Sequence, residues 1–198
     1  MPIPGYLVTA LVAYLLGSIP TGFLVGKARG VDIRKVGSGN IGATNTFRVL
    51  GKGPGIFVLL MDALKGFAAV MLVVSYYPEL NKVWPAVFTT EGITNSEIRM
   101  SFGIVAGLFP ILGHNYTCWL YFKGGKGIAT SAGVLLALVP WALVIALTIW
   151  IILFVLTRYV SIGSIVAAFS LPFGTWFTSH DTGLTVITGA IGALAIYK

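Results

Sequence analysis

GIATSAGVLLALVPWALVIALTIWIILFVLT, Gly127 to Thr157, is a run of 31 residues that has to be read as either one helix or two. As one helix, at 1.5 Å per residue, it would extend about 46 Å, too long for one ordinary crossing of a ~30 Å hydrocarbon core. Pro140 stands near its middle, where the missing N–H and the ring break or turn a helix. Two short crossings, 128–139 and 141–157, therefore fit better than one. The choice sets the number of spans, and with it the side of the membrane reached by everything downstream.

Outward from this stretch the chain keeps the same character. Residues 4–26, 53–76, 101–118, 162–178 and 184–197 are further apolar runs of spanning or near-spanning length. Across all 198 residues, 57% are hydrophobic and only 10% charged, with mean hydropathy +0.92. A soluble domain carries about a quarter charged residues, so composition alone gives an all-α integral membrane protein, read as one domain over 1–198. The start lacks a basic leader and its apolar run is too long for a cleaved signal peptide, so it is taken as the first membrane helix. A single cysteine, Cys118, excludes an intrachain disulfide, and nothing around it resembles a metal site.

Seven alternating spans sort the charges. One side receives Lys27, Arg29, Arg34, Lys35, Arg48, Lys52, Lys123, Lys126, Arg158 and Lys198; the other receives Lys82 and Arg99, with Glu79, Glu91, Glu97 and Asp181. That bias puts the N-terminus outside and the C-terminus in the cytoplasm. The net charge of +7 lies in short loops rather than on a soluble face, which points to anionic lipid or substrate and not to nucleic acid.

Three polar junctions fall on the basic side: 37–48, 122–127 and 158–164. In the first, Gly37-Ser-Gly-Asn-Ile-Gly-Ala-Thr-Asn-Thr-Phe-Arg48, glycines bring backbone N–H groups close to a ligand. Ser38, Asn40, Thr44 and Asn45 add neutral hydrogen-bonding groups, and Arg48 a fork of donors suited to phosphate. In the second, Lys123-Gly-Gly-Lys126-Gly-Ile-Ala-Thr130 sets two ammonium groups and a glycine turn at a helix N-terminus, although interfacial lysines are common for topology alone. It is not a Walker A loop. His114, about two turns away, is a candidate proton acceptor or a hydrogen-bonded structural residue. Asp62 and Lys65, three apart on one helix, either knit helices together or support the site. In the third, Ser161 and Ser164 follow Arg158, which serves equally as a topology anchor. His180 and Asp181 read as turn residues, and Gly103, Gly107, Gly189 and Gly192 as packing positions.

Taken in order, Gly37 to Arg48, Asp62-Ala-Leu-Lys-Gly66, Gly113-His-Asn through Phe122-Lys-Gly-Gly-Lys-Gly127, and Arg158-Tyr-Val-Ser-Ile-Gly-Ser-Ile165 closely resemble the acyl-phosphate-dependent glycerol-3-phosphate acyltransferases of bacterial inner membranes. The resemblance runs over nearly the whole chain. It implies a seven-helix, multi-pass enzyme of the inner (cytoplasmic) membrane with its site at the cytoplasmic leaflet. Such an enzyme transfers a fatty acyl group from acyl phosphate to the sn-1 hydroxyl of glycerol 3-phosphate, giving lysophosphatidic acid and phosphate, the first committed step of phospholipid synthesis. It implies no cofactor and no metal, and a monomer is expected.

On this resemblance Ser38, Lys126 and His114 are the catalytic candidates. Ser38, Gly39, Asn40, Thr44, Asn45, Arg48, Lys123, Gly124, Gly125, Lys126, Ser161 and Ser164 are the substrate-binding set. Arg48, Lys123 and Lys126 would offset the repulsion of two neighbouring phosphates, with Asn40 and Asn45 available to hold the loop or the substrate, and the donor phosphate could accept the hydroxyl proton, leaving His114 a structural or orienting role. Two departures stand out. Tyr-Thr-Cys-Trp follows Asn115 where the family carries a proline-aromatic pattern, a change of packing. The family also continues with a His-Arg-x-Asn-Ile segment and a basic tail, whereas this sequence stops at Tyr197-Lys198; it is read either as truncated or as lacking that part of the pocket. The competing assignments are a small anion transporter, disfavoured because no internal repeat is visible, and a membrane scaffold, which leaves the 37–48 junction unexplained.

Overall fold

The computed structural model describes residues 3–88 and 94–197, so the charges expected at Glu91 and Lys198 lie outside the described residues. Every regular element among the described residues is helical: α1 (Ile3–Ser18), α2 (Thr21–Ala28), α3 (Ala43–Leu50), α4 (Lys52–Val83), α5 (Pro85–Phe88), α6 (Asn95–Asn115), α7 (Ile128–Leu138), α8 (Pro140–Thr157), α9 (Val160–Ser179) and α10 (Thr182–Tyr197). Short 3-10 turns lie at Ile33–Lys35 and Cys118–Leu120. By length and composition Ile3–Ala28, Lys52–Val83, Pro140–Thr157 and Ser161–Ser179 can cross a membrane, while Ile128–Leu138 and Thr182–Tyr197 are shorter apolar helices. Their outer faces stay apolar: Leu7, Leu11, Leu60, Leu64, Leu156 and Phe177 are all exposed, as a lipid-facing surface requires.

The break at Pro140 is present. α7 ends at Leu138, and Pro140 opens α8 from the first helical turn, where its missing N–H costs nothing. The chain divides into two compact units, residues 1–134 and 135–198. In the second, α9 packs against both α8 and α10. Gly192 lies where a Cβ would stand 2.6 Å from the Ala168 carbonyl, so α9 and α10 meet backbone to backbone. Asp181 Oδ1 accepts the Leu184 N–H at 2.8 Å and starts α10 after the expected turn.

Three boundaries differ from the sequence reading. The expected span 4–26 is two helices, because Pro20 cannot donate to the ladder and the chain bends at Ile19-Pro20. α6 begins before residue 101, where Thr94 and Glu97 form a capping box: Glu97 N–H donates to Thr94 Oγ1 at 3.3 Å and Thr94 N–H to Glu97 Oε2 at 2.9 Å. α4 continues past residue 76 through Pro78, its last turn carrying a Lys82–Glu79 ion pair of 2.9 Å.

In the first unit α6 packs against α1 and α4. Tyr77, Ile98 and Phe102 form one buried cluster, with Tyr6 stacked on Phe102 at 4.4 Å. At the other end of these helices, Ile33, Ile41 and Leu120 form a second cluster that Phe23, Val49 and Leu50 cover. This small apolar centre joins the polar junction after α2 to the one after α6.

Candidate active site

The 37–48 junction is half loop and half helix. Gly37 and Gly39 take φ of 63° and 71°, a region open to glycine at no steric cost, and α3 begins at Ala43, so Thr44, Asn45 and Arg48 stand on a helix. Asn45 is almost fully buried and organises the loop. Its Nδ2 donates to the carbonyls of Ile33 (3.1 Å), Val36 (3.1 Å) and Asn40 (2.9 Å), and its Oδ1 accepts the Ser38 N–H at 2.8 Å. Asn45 thus holds the loop rather than facing outward. Asn40 Oδ1 takes the Gly42 N–H at 2.8 Å and turns the chain into α3. What reaches the surface is Ser38, Thr44 and Arg48, all exposed. Just upstream, Asp32 caps the Ile33–Lys35 turn and is gripped by Arg34 through Nε (2.9 Å) and Nη2 (2.8 Å). That pairing holds the Asp32 carboxyl at about 2, below its ordinary 3.8.

The second junction hangs from the end of α6. Tyr121 and Phe122 both adopt left-handed φ, 55° and 59°, and reverse the chain. Such φ values cost non-glycine residues about 1–2 kcal/mol each. The returning strand is pinned by two backbone bonds, Gly124 N–H to the Asn115 carbonyl (3.1 Å) and Gly125 N–H to the His114 carbonyl (3.0 Å). Gly125 lies so close to His114 Nε2 that a side chain there has no room. Lys123 and Lys126 flank this fixed pair and remain exposed.

Behind the turn is a buried charged group. His114 is 4% exposed, and its Nδ1 lies 3.6 Å from Asp62 Oδ1. Lys65 Nζ sits 2.9 Å from the same carboxylate and donates to the Ile19 carbonyl at 2.9 Å. Thr117 Oγ1 donates to the neighbouring Ser18 carbonyl at 2.6 Å. At the bend before Pro20, α4 and the post-α6 segment thus each donate to one carbonyl, that of Ile19 also accepting the Thr21 N–H at 3.0 Å. A buried charge survives only with partners: Lys65 pairs with Asp62, and His114 Nδ1 stands near the same carboxylate without a hydrogen bond to it. His114, with one nitrogen toward Asp62 and the other against Gly125, supports the lysine turn.

Of the three polar junctions, the first and second are joined by the apolar cluster of Ile33, Ile41 and Leu120. Ser161 and Ser164 belong to the second unit, where Ser164 Oγ accepts the Trp150 Nε1 hydrogen at 3.2 Å and Ser161 is exposed. Sequence reasoning did not find the Asp62–His114 contact or the Asp32–Arg34 fork, and it left Asn45 open between holding the loop and holding substrate. Only the fork had a local signal, an acid two residues before a base at a turn. Among the described residues no cluster of three or more His, Cys, Asp or Glu could hold a metal ion.

Comparison with known proteins decides the class. The family profile described as glycerol-3-phosphate acyltransferase matches residues 7–198. The chain belongs to that family. It is 44% identical over 189 residues to the glycerol-3-phosphate acyltransferase of Endomicrobium trichonymphae, covering 95% of this chain and 85% of the relative. It is 40% identical to that of Fusobacterium nucleatum, covering 95% and 87%. Among solved structures it resembles PlsY (YgiH), an integral membrane glycerol 3-phosphate acyltransferase, in its glycerol 3-phosphate form, with TM-score 0.78 and 37% identity over 97% of this chain and 86% of that one. The lysophosphatidic acid form of that protein matches with TM-score 0.77 and 36% identity over the same shares. The family is one of multi-pass membrane enzymes, and nothing supports the transporter alternative.

Proposed function

We propose that this protein transfers a fatty acyl group from acyl phosphate to the sn-1 hydroxyl of glycerol 3-phosphate, forming lysophosphatidic acid and inorganic phosphate at the cytoplasmic leaflet of a bacterial inner membrane. Residues 1–198 act as one acyltransferase domain with seven crossings, the N-terminus outside. The observation that carries the reading is the joining of two cationic junctions, one bearing Ser38 and Arg48, the other Lys123 and Lys126, through one apolar cluster in a chain of this family.

Acyl phosphate is an activated mixed anhydride, so the protein's task is to position two anions and a hydroxyl. The C1 oxygen of glycerol 3-phosphate attacks the acyl carbonyl carbon, the carbonyl-to-phosphate C–O bond breaks, and the departing phosphate takes up the hydroxyl proton. Arg48 and the two lysines compensate the paired phosphoryl charges, and they also stabilise the anionic carbonyl oxygen formed on attack. Ser38 donates a hydrogen bond to a phosphate oxygen, with Gly39, Asn40 and Thr44 shaping its surroundings. His114 acts as a positioning residue behind Gly125, and the donor phosphate is the proton acceptor.

Arg48→Ala and Lys126→Ala test the assignment. Both are expected to insert and fold, with an unchanged helical circular dichroism spectrum, and to lose lysophosphatidic acid formation. Turnover unchanged in both would remove the assignment.

A further inference from the structure

α2 carries a surface feature lined by none of the residues assigned to acyl transfer. Ile19, Pro20, Phe23, Leu24, Trp119 and Leu120 line a shallow groove of about 340 Å³ with almost wholly apolar walls. Leu24 and Trp119 are 52% and 62% exposed, so the groove opens outward. Its Phe23 wall is flanked by cations. The Arg34 guanidinium lies 4.6 Å from the Phe23 ring centroid, and Lys27 Nζ lies 5.9 Å from it. Arg29 and Lys35, also exposed, belong to the same segment, where Asp32 is the single acid. Asp32 engages Nε and Nη2 of Arg34 and leaves Nη1 available.

We propose that this groove is a binding site for an anionic phospholipid, separate from the substrate site, with an acyl chain along the apolar walls and the phosphate against Lys27 and Arg34. Charge complementarity selects this occupant. A zwitterionic lipid would fill the walls equally well but would gain little from four cations in nine residues at the end of a membrane-spanning segment. The shape agrees, since a shallow open trough suits a flexible chain already held in the bilayer. Trp119 is placed to report occupancy.

The test uses the full chain with Trp84, Trp141, Trp150 and Trp176 replaced by Phe, reconstituted into vesicles containing brominated phosphatidylglycerol or brominated phosphatidylcholine. Quenching of Trp119 is expected at lower mole fraction of the anionic lipid, by about fivefold for each cation that contributes. Lys27→Gln and Arg34→Gln are expected each to reduce that preference, and Arg34→Lys to restore much of it, with acyl transfer retained in Lys27→Gln. Equal quenching by both lipids, or a preference untouched by either substitution, overturns the proposal. A non-hydrolysable acyl phosphonate that relieves the quenching at concentrations saturating the enzyme also overturns it, by assigning the groove to the acyl donor. Should the single-tryptophan chain fail to fold, spin-labelled phosphatidylglycerol and phosphatidylcholine with the native tryptophans give the same comparison.

Discussion

Lys65 donates its ammonium to the backbone carbonyl of Ile19, 46 residues earlier in the chain, at 2.9 Å. The acceptor exists because Pro20 interrupts the first apolar run, and the donor is buried because Asp62 lies beside it. One side chain thus ties the bend between α1 and α2 to the charged group supporting the lysine turn. Lys65→Met removes the ammonium and leaves Asp62 buried facing only His114. The expected loss is about 3–5 kcal/mol, read as a lowered unfolding midpoint in detergent micelles. Asp62→Leu combined with Lys65→Met is expected to be milder than the two single changes added together, because no uncompensated charge remains.

Gly125→Ala sets a methyl group against His114 Nε2 and moves the Lys123–Lys126 turn. A displacement near 1 Å costs on the order of 10²-fold in turnover. Adding His114→Ala makes room, and the double variant is expected to regain part of the activity. Steady-state kinetics on both variants check this, with fold monitored by circular dichroism. If His114 were itself the proton acceptor, the double variant would instead be less active than Gly125→Ala.

Asn45→Ala removes the partner of the Ser38 N–H and of the Ile33 and Asn40 carbonyls, while the Val36 carbonyl keeps the Gly39 N–H. A cost of about 1–3 kcal/mol is expected for the buried groups. Because Ser38 and Arg48 both depend on this loop, the KM for glycerol 3-phosphate should rise as well. Faster proteolysis between Arg34 and Asn45 would accompany the change.

The Asp32–Arg34 pair sets an acid limit. Its carboxyl is held at about 2, against an ordinary 3.8, chiefly by the Arg34 hydrogen bonds. A carboxyl lowered in the folded state stabilises it fully above the ordinary value, and that contribution is lost as pH falls through about 2. Thermal stability owed to this pair should therefore be level from pH 7 to 4 and decline below it. Asp32→Asn should remove that part of the decline, checked by melting curves across the range.

Pro140 could be read from the sequence because it stands near the middle of an apolar run too long for one crossing, whereas Pro78, Pro110 and Pro172 are carried inside α4, α6 and α9. Pro20 is equally without an N–H, but the run of apolar residues around it argued for an uninterrupted span, and apolarity does not report a bend. The polar character of 37–48 and 122–127 was equally plain from residue types. Their joining was not, because it depends on Ile33, Ile41 and Leu120 finding one another across the fold. Asn45 could be read as holding either the loop or the substrate, an amide having both donors and an acceptor, and only the fold shows it spent on the loop. His114 and Asp62 stand far apart in the chain and meet only once α4 packs on α6.

The central claim is that cationic junctions of this membrane protein hold acyl phosphate and glycerol 3-phosphate for direct acyl transfer. Purified protein in lipid, given palmitoyl phosphate and glycerol 3-phosphate, should release lysophosphatidic acid and inorganic phosphate in equal amounts, and should give none with palmitoyl-CoA as donor. Product formed from palmitoyl-CoA but not from palmitoyl phosphate would contradict it.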